Sequence, residues 1–222
     1  MRVDLKRWIK AWAGVTLMSI GSAATASPEM TERKPVHQEK RLKEVRLVTP
    51  EAVANSVAIA DDDLETVATI TTATAFTPKR SSFFDTLLAD NMLRAMVSKT
   101  TGRTVWQRYQ TISYSGSEWR HFTSVNYETA AGPRHAQLTV IRTDVQCPYG
   151  SCSYEEVIGF DLTEDLLEAI VTRNAGNPAG IWRFRFNSKN GLSWADDMPV
   201  AEIAGALMAV KRYRTQKGLE VD

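Results

Sequence analysis

The sequence predicts an α+β fold: an antiparallel β-meander of about six strands over residues 104–195, with N-terminal and C-terminal helices packed on one face. Three observations carry this. Trp182, Phe184 and Phe186 alternate with Arg183 and Arg185, the period of a half-buried strand, and Asn190-Gly191 supplies a hairpin turn before Leu192 and Trp194. Turn residues at Ser115-Gly116-Ser117, Gly132-Pro133 and Pro148 to Gly150 divide the preceding stretch into strand-length pieces. Apolar residues recur instead at three- and four-residue intervals over Phe83 to Met96 and Val200 to Val210, the stripes of two flanking helices.

From the N-terminus, residues 1–26 read as a signal peptide. Arg2, Lys6, Arg7 and Lys10 come first, an apolar run from Ala11 to Ile20 follows, and Ala24-Thr25-Ala26 offers the small side chains that signal peptidase accepts. The run is about half the ~20 residues a membrane-spanning helix needs. No cysteine stands at the junction, so neither a transmembrane nor a lipid anchor is expected after cleavage. Residues 27–80 read as a flexible tail or linker, with a short helix around Gln38 to Val48 or Glu51 to Ala60 as the alternative. Pro28 to Lys43 is dense in charge, Asp61-Asp62-Asp63 is acidic, and Thr66 to Thr77 has Val67, Ile70 and Phe76 as its large apolar residues. Such a composition buries too little apolar surface to offset the entropy of ordering.

A single α+β domain is assigned to residues 81–216, with a short tail over 217–222. Ser82 serves as N-cap for a helix striped by Phe83, Phe84, Leu87, Leu88, Met92, Leu93 and Met96 and ending near Gly102. Thr104 to Ser115 is a strand rich in Thr, Tyr, Ile and Val. From Trp119, the residues Trp119, His121, Thr123, Val125 and Tyr127 share one face, and Arg120, Ser124 and Asn126 the other, with Phe122 an exception on the polar side. Ala136 to Gln146 forms the next strand, and Cys152, Tyr154, Ile158, Phe160 and Leu162 line one face of the strand after it. Thr163 caps a short helix with Glu164 and Asp165 in its first turn, where the helix dipole favours acids. Leu166, Leu167, Ile170 and Val171 are its apolar residues, and Asn174 to Pro178 stops it. Pro199 opens the last helix, whose stripe is Val200, Ile203, Ala204, Leu207 and Val210. Lys211, Arg212 and Arg214 lie towards its carboxyl end, where cations are favoured.

Cleavage removes four basic side chains and one acid, so the formal charge moves from +1 to −2. A nearly neutral chain has no global field to gather nucleic acid or an anionic membrane. The two cysteines, Cys147 and Cys152, enclose Pro148, Tyr149, Gly150 and Ser151. In an exported chain this reads as one disulfide stapling a hairpin tip. Redox motifs of the thioredoxin type use C-x-x-C, and a structural zinc site needs four ligands, so no metal or cofactor is expected.

The sequence holds no nucleophile elbow, zinc-protease motif, phosphate loop or dinucleotide fingerprint. No catalytic residue is assigned. His121 with Asp144 or Glu156 across the sheet is the nearest approach to an acid/base pair, and His121 or His135 would be the working group of an enzyme. A single histidine on a half-buried strand is more often a packing residue. Tyr149 at the stapled tip and Arg183 and Arg185 on one sheet face form the candidate recognition surface. With Arg120 and Arg142, the two arginines outline a basic strip.

The loop Cys147-Pro148-Tyr149-Gly150-Ser151-Cys152 resembles that of periplasmic lysozyme inhibitors, in which a disulfide-closed loop enters the enzyme's cleft. The inhibitor loop carries a histidine where this one has Pro148, Tyr149, Gly150 and Ser151. The resemblance implies an exported protein that presents this loop to an enzyme. The function expected from the residues is that of a periplasmic or secreted, non-catalytic protein, binding or structural in the cell envelope. Its partner would be another envelope or extracellular molecule, and self-association stays open. The alternatives are a lysozyme-inhibitor-like protein and an enzyme of unassigned class.

The exported chain is expected to begin at Ser27, because Ala24 and Ala26 supply the small residues and Pro28 disfavours helix just beyond them. Intact-mass measurement of the exported protein checks this; a full-length mass would exclude cleavage.

Overall fold

The structure, a computed structural model, describes Lys43, residues 45–72 and residues 89–219. Thr49 accepts a hydrogen bond from the Ala52 N–H at 3.2 Å and Pro50 follows it, which starts helix α1 (Pro50–Ser56). Strands β1 (Ala58–Ala60), β2 (Val67–Thr71), β3 (Ala89–Ser98) and β4 (Thr104–Gly116) come next. Then follow β5 (Phe122–Thr129), β6 (Gly132–Gln137), β7 (Thr139–Gln146), a single 3-10 turn at Pro148–Gly150 and β8 (Cys152–Leu162). Helix α2 (Glu164–Arg173), strands β9 (Ile181–Ser188) and β10 (Ser193–Pro199), and helix α3 (Val200–Lys217) complete the chain.

The described strands make two antiparallel sheets, one ordered β1-β2-β3-β4-β8-β7 and the other β10-β9-β5-β6. The α+β class of the sequence reading holds, but the single meander becomes two layers. Aromatic rings join them. Phe160 of β8 lies 6.3 Å from Trp182 and 6.4 Å from Phe186, both on β9, and 5.6 Å from Tyr127 of β5. Trp182 and Phe186 are completely buried. Edge-to-face and offset contacts of this kind add to the area that the rings remove from water.

Residues 45–72 are not a tail. Helix α1 buries Val53 and Ala54, and β2 pairs with β3 while burying Ala68 and Ile70. A Thr/Ala segment enters the sheet because its backbone is satisfied by the ladder and its Thr residues suit the pleat. Large side chains are not needed where α3 and the second sheet supply them. The helix expected from Ser82 to Gly102 is also corrected wherever it is described, since Ala89–Ser98 is a strand. Asn91, Leu93, Ala95 and Val97 alternate inward, with Met92, Arg94 and Met96 opposite. The spacing of Met92, Leu93 and Met96 fits either period, and pairing to β4 decides it. Ser82 and Phe83 to Leu88 lie outside the described residues, as do the signal peptide and the end of the expected tail. Lys217 belongs to α3, which closes at Gly218 in the left-handed region at φ 65°.

Helix α3 buries Ile203, Ala206, Ala209, Val210 and Tyr213 and packs on β2, β3, β10 and both other helices. Two polar ties fix it. Glu202 accepts a hydrogen bond from Thr72 at 2.6 Å, and Thr72 in turn accepts the Leu93 N–H at 3.0 Å. At the other end, Arg214 forks onto both oxygens of Glu164 at 2.8 Å, and Trp106 donates to the same carboxyl at 3.0 Å. Burial opposes ionisation of Glu164, but Arg214 and Trp106 outweigh it and hold the carboxyl below its ordinary range. Among the described residues, no helix is long and apolar enough to cross a membrane.

Gly205 sets the α1–α3 distance. A Cβ there would lie 2.4 Å from the Val53 Cβ and 2.6 Å from the Pro50 carbonyl oxygen. Gly205→Ala is therefore expected to destabilise the fold by about 1–3 kcal/mol through overpacking, despite alanine's better helix propensity. Chemical denaturation checks the sign; unchanged or raised stability would mean that α1 yields freely.

Candidate functional site

At one end of the large sheet, two features of the chain converge. Cys147 and Cys152 are bonded at 2.08 Å and close the β7–β8 hairpin, whose tip makes a single 3-10 turn. Gly150 takes φ 84° in that tip, a conformation glycine adopts without strain. The register Gly116↔Cys152 brings the end of β4 beside the stapled strand. From there residues 117–121 leave the large sheet and lead into β5 of the small one.

Glu156 anchors this crossing. It points inward from β8 with 1% of its surface exposed. Its Oε1 accepts hydrogen bonds from the Tyr114 phenol at 2.5 Å and the His121 backbone N–H at 3.0 Å. Its Oε2 accepts the Phe122 N–H at 3.0 Å. The Tyr114 oxygen also accepts the Arg120 N–H at 2.8 Å. Three consecutive N–H groups of the connection are thus satisfied by two buried side chains. Burial, with a lesser contribution from Glu156, pushes the Tyr114 hydroxyl well above its ordinary pKa, so it remains a neutral donor.

Rings fill the space around this anchor. Tyr114 stacks on Tyr154 at 5.5 Å and meets Phe122 edge-on at 6.5 Å. Trp119 stands edge-on to Tyr154 at 4.9 Å, and the Arg120 guanidinium lies 4.2 Å over the Tyr114 ring. Among the described residues, His121 is the one non-glycine with positive φ, at 53°. Its N–H and those on either side are held from within, while its imidazole is exposed and stacks on Trp119 at 6.2 Å. A left-handed histidine persists where surrounding bonds over-determine it.

This geometry corrects the sequence reading of the region. Trp119 and His121 do not begin a strand. β5 starts at Phe122, and a register shift between Phe122 and Ser124 lets both Phe122 and Val125 face the core. That bulge explains the apparent exception at Phe122. His121 and Glu156 do meet, but through the backbone N–H rather than the imidazole. Asp144 lies exposed on β7. His135, on β6, shares hydrogen bonds with Asn126 at 3.0 Å and Gln137 at 3.3 Å. Among the described residues neither imidazole is hydrogen-bonded to a carboxyl group, so His121 does not pair through its ring with Asp144 or Glu156 in this arrangement.

The candidate recognition residues fall in separate places. Tyr149 sits in the tip of the large sheet's hairpin, whereas Arg183 and Arg185 occupy the solvent face of β9. Arg183 bonds Glu128 at 2.5 Å, which raises the arginine's pKa and lowers that of the acid. Arg120 is buried and Arg142 pairs with Glu155 on β7–β8, so the four arginines do not make one strip. Sequence reasoning missed Glu156 as an anchor; Trp119, which with Tyr109, Tyr114 and Tyr149 suggests an aromatic contact patch, is half-buried against Tyr154. The available signal was an acid at an inward position between Tyr154 and Ile158. Among the described residues, no group of three or more His, Cys, Asp and Glu side chains is placed to hold a metal ion.

Glu156→Gln is expected to destabilise the protein by about 1–3 kcal/mol, because the amide NH2 must face one of the donors that the carboxyl accepts. Cleavage between Ser115 and His121 by a non-specific protease should rise in the same variant. Equal stability and equal protection would remove Glu156 as the anchor. No family model matches the chain, and no curated protein or solved structure does either.

Proposed function

We propose that this protein is an exported, non-catalytic binding protein of the cell envelope. Its recognition surface is the end of the large sheet that carries the Cys147–Cys152 tip, Trp119 and His121. The observation that supports this most is the over-determined His121: interior bonds from the Arg120, His121 and Phe122 N–H groups to a buried carboxyl and a buried phenol fix the backbone that presents an exposed imidazole beside the half-buried Trp119 indole. Such pre-organisation lowers the entropy lost on binding. The disulfide likewise restrains the neighbouring tip and suits an oxidising compartment. Tryptophan supplies large contact area at few rotatable bonds, and the flanking histidine adds a polar contact.

A second reading has its own support. A disulfide-closed tip projecting from a β-hairpin is the element that lysozyme inhibitors insert into their target, and this chain carries such a tip at Cys147–Cys152.

Both readings place the partner on the same end of the molecule. The exported protein, immobilised, is expected to retain a specific protein from envelope extract, and His121→Ala should cut retention at least tenfold with little change in melting temperature, whereas Trp119→Ala should cut it as far and also lower the melting temperature, since its ring packs on Tyr154. Retention unaffected by either substitution would move the surface elsewhere. Inhibition of lysozyme that is lost on replacing Cys147 and Cys152 with serine would select the second reading; lysozyme at full activity with excess protein would exclude it.

A further inference from the structure

Strand β7 is an open edge. Among the described strands it pairs with β8 alone, and all eight of its residues are exposed. Val140, Ile141 and Val145 are among its exposed side chains, at 54%, 44% and 41%. Long, exposed edges with apolar residues are templates for another strand. The direction of the backbone groups follows from one bond. Val145 donates its N–H to the carboxyl of Asp144, its neighbour in the chain, at 2.9 Å, so this donor is not spent on β8. By strand alternation, the N–H and C=O of Thr143 face the open side as well.

Charge then selects the partner. Arg142 and Asp144 flank Thr143 and lie on the same face of the strand. Arg142 already contacts Glu155 of β8, and Asp144 is cross-strand from Glu155, so this patch holds two acids around one arginine. We propose that β7 is a self-recognition edge, and that a second copy of this chain pairs with it antiparallel about a two-fold axis through Thr143. In that register Thr143 faces Thr143 and Arg142 faces Asp144 of the second copy, twice over, while Ile141, the extra residue of the register shift between Val140 and Arg142, ends the regular paired segment. Each arginine then stands between Glu155 of its own chain and Asp144 of the other. Shifting the axis by one residue either way sets Arg142 against Arg142 or Asp144 against Asp144, and like charges directly opposite are unfavourable. Two large sheets joined in this way make one continuous twelve-stranded sheet, double the six strands of one copy. An edge meant only to repel copies would carry charges of one sign. Here the signs are self-complementary.

Sedimentation of the whole chain over roughly 5–500 µM tests this, a range suited to small interfaces. Wild-type protein should pass from monomer to dimer mass. Asp144→Arg and Arg142→Asp should each weaken association at least tenfold, and an equimolar mixture of the two variants should associate again, since each supplies the charges the other lacks. The double variant carrying both changes should recover self-association; its swapped arginine faces Glu155 directly, so the ion pair within the chain survives. Thr143→Pro removes an outward N–H that β8 does not use, and should abolish the dimer while leaving near-ultraviolet circular dichroism unchanged. A wild-type chain that is monomeric throughout overturns the proposal. So does a charge-swapped pair that stays folded and fails to associate, or a proline variant that still dimerises. None of these outcomes bears on the surface at Trp119 and His121.

Discussion

The carboxyl group of Glu156 joins the two sheets. It belongs to β8 of the large sheet, yet two of the three hydrogen bonds it accepts come from the connection into β5, the first strand of the small one. A buried polar group costs several kcal/mol when unsatisfied, so its donors are constrained to stay. That constraint fixes where β5 begins, and β5 carries β6 and β9 by pairing. The aromatic contacts between the layers follow from this placement, because a shift of one residue in β5 would turn Phe122 and Val125 away from the core.

The β2–β3 end of the same buried face solves a different problem. Its inward residues near β2 are small, as Ala68 and Ala95 show, and they leave depth for α3. The helix answers with small residues of its own at Gly205, Ala206 and Ala209. Polar ties at its two ends, Glu202 to Thr72 and Arg214 to Glu164, set its rotation where shape alone would allow it to slide. Near the end of α3, Asp61 bonds Lys99 at 2.7 Å and Lys217 at 2.8 Å. The Lys217 bond, then that of Lys99, holds the Asp61 carboxyl well below the usual range. These partly exposed pairs help position the β1–β2 loop and are weakened by salt.

The core between the sheets is not purely apolar. Arg108, fully buried on β4, lies 4.0 Å over the Phe184 ring and donates to Gln110 at 2.9 Å and to the Tyr109 carbonyl. Asn91 reaches Asp196 across the layers at 3.4 Å. Directional contacts of this type discriminate one sheet-on-sheet alignment from its neighbours, which interchangeable rings cannot do.

Local periodicity made much of this legible in the chain. The alternation of Trp182 to Phe186, the Asn190-Gly191 turn and the Thr163 cap are properties of adjacent residues and appear where the sequence places them, while the stripe of α3 keeps Val200, Ile203 and Val210 but turns from Ala204 and Leu207 towards Ala206, Ala209 and Tyr213. The pairing of Cys147 with Cys152 is local in the same sense. What adjacent residues do not encode is the partner across the fold. Residues 58–72 look like a linker until β3 and α3 complete their burial, and Ala89 to Ser98 carries a pattern that fits helix or strand until β4 pairs with it. The site is the extreme case. Glu156, Tyr114 and His121 are separated by 35 and 42 residues along the chain. Only the tertiary structure could bring a carboxyl on β8 to the N–H groups of a turn after β4, because a buried hydrogen bond is satisfied by whatever lies nearest in space.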